Sequence, residues 1–298
     1  MPSTEARPSG RVITGRIGDP LSGVRQPEPI ILSDPAALFS RRAERLSTLA
    51  DGHVMAEWLR FMARLAGVQH AAAMAMPSVT ASRPLLTEPP RDPAWRAALA
   101  TLLDRIDGDL PAPAADAIVR LRRADADALE RLADRYLDGQ LAPEQRGDAV
   151  YVAASLQVYF ARLAASLPVG GLRLLPQRGR CPVCGSAPVA GVITASGRAP
   201  GVRYLHCGLC ATAWNHVRAV CINCGESGSL AQHQIEGGSD AVKAETCNAC
   251  HGYAKMLYQS ADMGVDPVAD DLASLALDIL VAEGGWARHA PNPLIVGG

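Results

Sequence analysis

The residues most able to do chemistry are cysteines. All 8 fall into four C-x2-C pairs: Cys181/Cys184, Cys207/Cys210, Cys221/Cys224 and Cys247/Cys250. The pairs form a repeat: CPVCGS (181–186) returns as CINCGE (221–226), and HCGLC (206–210) returns as TCNAC (246–250), each 40 positions on. Within each half, 22 residues separate the first pair from the second. Two residues between cysteines let both sulfurs face one ion while backbone N–H groups of the turn point at them. Gly185 and Gly225, each just after the second cysteine of its pair, supply the unusual backbone angles of that turn. Two such knuckles close a tetrahedral four-sulfur site, a donor set that selects zinc or a mononuclear iron.

Free structural thiols and redox pairs fit the pattern less well. Eight unconnected thiols would not fall into four identical spacings. Thioredoxin-type redox pairs need a βαβ context, and the sequence around these motifs has none. The middle pairs, Cys207/Cys210 and Cys221/Cys224, lie only 10 residues apart and could share an ion. A duplicated unit, however, carries its own complete site. The predicted ligand sets are therefore Cys181, Cys184, Cys207 and Cys210 for one ion, and Cys221, Cys224, Cys247 and Cys250 for a second. His206, His216, His233 and His251 lie close by, but with four thiolates available each reads as a bystander.

The rest of the chain must position these sites. It has 298 residues, a formal net charge of -1 and 4% aromatic residues. A protein that coats nucleic acid is normally far more basic and offers aromatic platforms to bases. No apolar run reaches the ~18 residues of a membrane span, and none resembles a secretory leader. The expected location is cytoplasmic, without membrane insertion, where thiols stay reduced and paired cysteines mean metal or redox chemistry.

The fold class is read as α+β, in five parts. Residues 1–29 read as a flexible tail, polar and rich in Gly and Pro. Residues 30–170 carry helical periodicity and form an all-α domain. Its first helix starts at Ser33-Asp34-Pro35, a capping side chain followed by a proline that the first turn tolerates. Further helices are predicted over roughly 55–70, 93–106, 114–123, 127–137 and 143–167. Composition changes at 168–172, and two tandem β ribbons follow over 171–219 and 220–260, each dependent on its ion. Residues 261–298 hold a last helix, starting after Asp266-Pro267, and a tail. Val268, Leu272, Leu275, Ala276 and Ile279 are predicted to mark its buried face, with Asp271, Ser274 and Asp278 on the polar one.

Helical N-terminal part, cysteine repeat, RYLHCGLC (203–210), DPVADDLASLALD (266–278) and GWARHAPNPLI (285–295) together resemble the FdhE family of formate dehydrogenase accessory proteins. The resemblance spans about residues 32–295 and is most specific from Cys181 onward. It implies a cytoplasmic, non-enzymatic assembly factor that binds the catalytic subunit of a respiratory formate dehydrogenase before export. It also implies two metal ions, one per four-cysteine site. Iron is favoured over zinc, because the CPVCG knuckle is similar to that of rubredoxin. The reading leaves room for a homodimer.

The sequence itself contains no Gly-rich phosphate loop, no His-Glu-x-x-His and no nucleophile elbow. Charge is unevenly spread. From Arg178 to Val220 there are five arginines and no acid, whereas Asp262, Asp266, Asp270, Asp271, Asp278 and Glu283 share a stretch without a base. Asp270, Asp271 and Asp278, with the Asn292-Pro293 tail, are the candidate partner-binding residues. Two rival functions stay open: a rubredoxin-like redox carrier, and a zinc-ribbon nucleic-acid binder supported by the basic first ribbon.

Overall fold

The computed structural model describes residues 26–295 apart from 82–83, 85–90, 109 and 197–199. Most of the expected tail thus lies outside the described residues. Six α-helices form the N-terminal body: α1 (Pro35–Ala50), α2 (Ala56–Ala75), α3 (Trp95–Arg105), α4 (Ala112–Arg123), α5 (Ala126–Leu137) and α6 (Arg146–Ala165). The Asp34 carboxylate accepts from the Ala36 N–H at 3.0 Å, which supplies the predicted cap of α1. Asp125 caps α5 in the same way through Ala128 N–H. A 3-10 turn, Pro143–Gln145, leads into α6. That helix is buried on every side between Ala149 and Ala164, so it forms the central post against which the other five pack.

Eight strands form one sheet: β1 (Ile30–Ile31), β2 (Pro188–Ile193), β3 (Arg203–Cys207), β4 (Ala213–His216), β5 (Leu230–His233), β6 (Val242–Cys247), β7 (Gly252–Tyr258) and β8 (Ala287–Arg288). Their order is β1-β4-β3-β2-β7-β6-β5, with β8 paired to β7. The α+β class stands, and the cysteine repeat is visible in the topology. β2, β3 and β4 form one antiparallel ribbon, and β5, β6 and β7 form its copy. The ribbons are joined rather than strung as separate beads. The first strand of one, β2, pairs in parallel with the last strand of the other, β7, through Gly191↔Met256 and Val192↔Leu257. The seam is close here: a Cβ on Gly191 would lie 2.5 Å from the Met256 sulfur, so that side chain would have to move. β1 extends the sheet from the N-terminal side, Ile30 lying opposite Trp214. A single apolar core runs from the helices into the first ribbon, and includes Cys181, Cys207 and Cys210.

The C-terminal region differs from expectation. The sequence predicts one helix after Asp266-Pro267, but the chain forms two, α7 (Ala269–Ala273) and α8 (Leu275–Glu283), broken at Ser274. The break shifts the helical phase. Leu277 and Val281 pack on Tyr253 and Ala244, while Ile279 is 60% exposed. Upstream, Asp270 and Asp271 turn inward and are buried.

Candidate metal centres

All eight predicted cysteines come together in the predicted sets. Cys181, Cys184, Cys207 and Cys210 bring their sulfurs within 4.8 Å of one another, as do Cys221, Cys224, Cys247 and Cys250. Sulfurs tetrahedrally placed ~2.3 Å from a metal are about 3.8 Å apart. In the second centre, Cys221–Cys250 and Cys224–Cys247 are both 3.8 Å apart. The first centre is tighter, with Cys181–Cys210 at 3.5 Å and Cys184–Cys207 at 3.4 Å. These separations are far too long for disulfides, whose S–S bond is ~2.05 Å. The donor set therefore fits a four-coordinate zinc or iron ion in each half.

The local fold explains the convergence. Cys181 N–H donates to the Ser186 carbonyl and Gly185 N–H to the Cys181 carbonyl, both at 2.9 Å. Cys221, Glu226 and Gly225 repeat this pattern at 2.8 and 3.1 Å. The residue after each knuckle adopts positive φ: Gly185 (76°), Ala211 (57°), Gly225 (77°) and His251 (51°). The two glycines do so freely, whereas Ala211 and His251 are held there against their intrinsic preference. His251 thus completes a turn and is not among the clustered ligands. Backbone donors aim at sulfur as the spacing implies: Leu209 and Cys210 N–H to Cys207 Sγ, and Asn223 N–H to Cys221 Sγ, each at 3.4 Å.

Charge makes the same demand for a cation. Burial pushes Cys207 and Cys210 well above the usual thiol range, with their neighbouring sulfurs adding to the rise, while hydrogen bonds from Cys181, Cys207 and Cys210 hold Cys184 well below it. In the second centre burial drives Cys221 up to about 12. Cys250 resists the same pull of burial and falls to about 7, through hydrogen bonds from Gly252 and Asn223 and from neighbouring thiols. Cys207 and Cys210 in the first cluster, and Cys221 in the second, thus resist ionisation on their own, and a bound cation is what would stabilise four thiolates together.

Three FdhE family models together match almost the whole described chain: the N-terminal domain over residues 27–175, the central domain over 180–218 and the C-terminal domain over 219–295. The chain belongs to the FdhE family. An FdhE homolog from Edwardsiella ictaluri is 38% identical over 284 residues, covering 91% of this chain and 92% of that protein. The FdhE protein of Escherichia coli K12 is 35% identical over 285 residues, with the same coverage. The crystal structure of the FdhE protein from Pseudomonas aeruginosa superimposes with a TM-score of 0.80 at 36% identity, covering 91% of this chain and 99% of that one.

In this FdhE chain the two centres occupy different surroundings. The first lies between the sheet and the helical body, where Cys181 and Cys210 are fully buried. Gln157 on α6 donates to the Gly208 carbonyl in the second knuckle at 2.7 Å, and receives Gln69 of α2 at 2.9 Å. Gly208 is packed so closely on Pro293 that a Cβ would lie 2.6 Å from the ring. The second centre faces outward, with Cys224 exposed and Cys250 partly so. The other three histidines near the clusters are not ligands. His206 is partly buried and His216 buried, and desolvation lowers both to about 4, hence neutral, while His233 bonds Thr246 Oγ1 at 2.9 Å.

The acidic residues expected to meet a partner are engaged in contacts within the chain. Asp270 pairs with Arg45 at 2.6 Å. Asp271 pairs with Lys255 at 3.1 Å and with Arg288, and accepts from Asn292 at 2.9 Å. Asp278 pairs with the same Lys255 at 2.6 Å and accepts from Tyr253 at 2.8 Å. Asp262 and Asp266 are likewise paired, to Arg45 and Arg42. The bases lie elsewhere in the sequence, on α1, β7 and β8, beyond the reach of local charge counting. Two signals were present. Arg42 falls on the apolar stripe of α1 between Phe39 and Leu46, and Lys255 interrupts an otherwise apolar strand.

Proposed function

We propose that this chain is a cytoplasmic accessory protein for a respiratory formate dehydrogenase, binding the catalytic subunit during maturation and using two four-cysteine metal ions, with iron favoured. The observation that carries this reading is family membership along nearly the whole chain, joined to two complete four-thiol clusters in one sheet. A cytoplasmic place is supported by the chemistry of the clusters, which bind metal only with reduced thiols. No helix among the described residues is long and apolar enough to cross a membrane. Four thiolates fill the coordination of each ion, so neither centre is built to bind and turn over a substrate.

The metal's role in this reading is architectural: it holds each ribbon closed and, through the first centre, locks the sheet on the helical body. The test is capture from an extract of the native host grown with nitrate and without air. Wild-type bait is expected to retain the formate dehydrogenase catalytic subunit, and a Cys181→Ser, Cys221→Ser bait to lose it. Retention by neither bait would sink the proposal. The exposure of Cys224 favours one second reading, a rubredoxin-like redox carrier. It requires iron whose visible spectrum bleaches on reduction and returns on reoxidation.

A further inference from the structure

Whereas the acids from Asp262 to Asp278 are paired within the chain, a basic wall beside the second centre is not. A cavity of about 440 Å3, open to solvent, lies between segment 176–180 and the knuckle 221–225. Arg178 and Arg180 line one wall, and both residues are exposed. Neither guanidinium has a hydrogen-bond or ion-pair partner among the described residues. The contrast with Arg203 is sharp. That arginine, from the same basic stretch, is buried and pairs with Glu245 at 2.5 Å. No acidic residue lines the cavity. His289 forms part of its floor, with its Nε2 buried against the Gly179 backbone. Cys221 and Cys224 complete the lining, so any occupant sits against the second metal centre.

We propose that this cavity is a docking site for an acidic segment of a partner polypeptide, held by the Arg178 and Arg180 guanidiniums. The inference rests on the reading of the chain as a protein-binding accessory factor and names the chemistry of its partner. Guanidinium forks match carboxylates in paired hydrogen bonds. An open groove rather than a closed pocket suits an extended chain. The occupant would also cover Cys224, and so couple docking to the accessibility of the second ion.

The test uses the metal-loaded full chain and a fluorescein-labelled hexaglutamate peptide, read by anisotropy at low salt. Wild type is compared with Arg178→Gln/Arg180→Gln. A charge-matched control, Arg123→Gln/Arg131→Gln, alters two exposed arginines on the helical body. The cavity variant is expected to bind the peptide about tenfold more weakly or worse, and the control to bind as wild type does. Bound peptide should also slow chelator removal of one ion in wild type. Equal binding by the cavity variant overturns the proposal. So does failure of wild type to bind the peptide, or its complete displacement by equimolar inorganic phosphate, which would mark a small-oxyanion site instead. Capture of the formate dehydrogenase catalytic subunit is run in parallel. If wild type captures no subunit yet binds hexaglutamate through these arginines, the accessory-factor reading fails and the docking site stands. If the cavity variant captures the subunit as well as wild type does, the docking site fails and the accessory-factor reading stands.

Discussion

Replacing Asp271 by Asn should unfasten the C-terminal region from the second ribbon. The Asp271 and Lys255 side chains are both 0% exposed, and the ammonium donates to the Asp271 and Ser274 carbonyls at 3.0 Å as well as pairing with the carboxylate. Asp271 also binds Arg288 of β8 and Asn292 of the tail, so one carboxylate ties together three elements. Breaking one member of a buried pair costs about 3–5 kcal/mol, because a charge is left unmatched in a low-dielectric site. Asp278 still lies 2.6 Å from the Lys255 ammonium and keeps it partly compensated. The expected loss is therefore near the lower bound, about 3 kcal/mol, and large beside a typical total of ~5–15 kcal/mol. In thermal unfolding of the metal-loaded protein this corresponds to a melting point lower by about 6 °C or more. Glu283→Gln is the internal control. Glu283 is exposed and forms no ion pair among the described residues, so its loss should stay within ~0.5 kcal/mol. A melting point for Asp271→Asn within a degree of wild type would refute the reasoning. Weakened partner capture at unchanged stability would return Asp271 to the surface role that its burial denies.

The same geometry sets the behaviour of the metal, of a buried amide and of a histidine. The outward-facing second centre should release its ion to a chelator well before the buried first one, giving two phases, and Cys224→Ser should abolish the fast phase; a single phase in wild type would contradict the difference in burial. Gln157→Leu removes the donor to the Gly208 carbonyl and leaves that group unsatisfied beside the first centre, so urea unfolding should show a loss of about 1–3 kcal/mol. Stability should also fall on the acid side through His216, which is buried and lowered to about 4 from 6.5. Between those values the unfolded chain binds more protons than the native one, so stability is full above the upper value and declines as pH drops towards the lower, by up to about 3 kcal/mol. His216→Gln should flatten that decline relative to wild type, and parallel curves would show that this histidine is not responsible.

Much of this protein is legible in its sequence, and the limits have physical causes. The cysteine pairing is readable because a repeat carries its own register, and each knuckle is a local structure whose geometry depends on a few adjacent residues. The helices of the body are legible for the same reason, through Asp34-Pro35 and the apolar spacing of Phe39, Leu46 and Ala50. What escapes is non-local. Nothing in a linear reading says that β2 will lie beside β7, or that Ile30 will extend the sheet opposite Trp214. The acidic C-terminal stretch misleads because its counter-ions, Arg42, Arg45, Lys255 and Arg288, come from three distant elements. The helix break at Ser274 then re-phases the apolar face, so Ile279 points outward where a continuous helix would have buried it.

The most direct test of the two-centre architecture is the metal content of paired cysteine variants, read by native mass spectrometry on protein loaded with a single metal. Cys184→Ser/Cys210→Ser disables only the first centre, and should leave one ion bound. Cys184→Ser/Cys250→Ser disables both, and should leave none. The opposite result, with one ion retained in the second variant and none in the first, would mean that the middle cysteines share an ion across the repeat, and the account of two self-contained centres would be wrong.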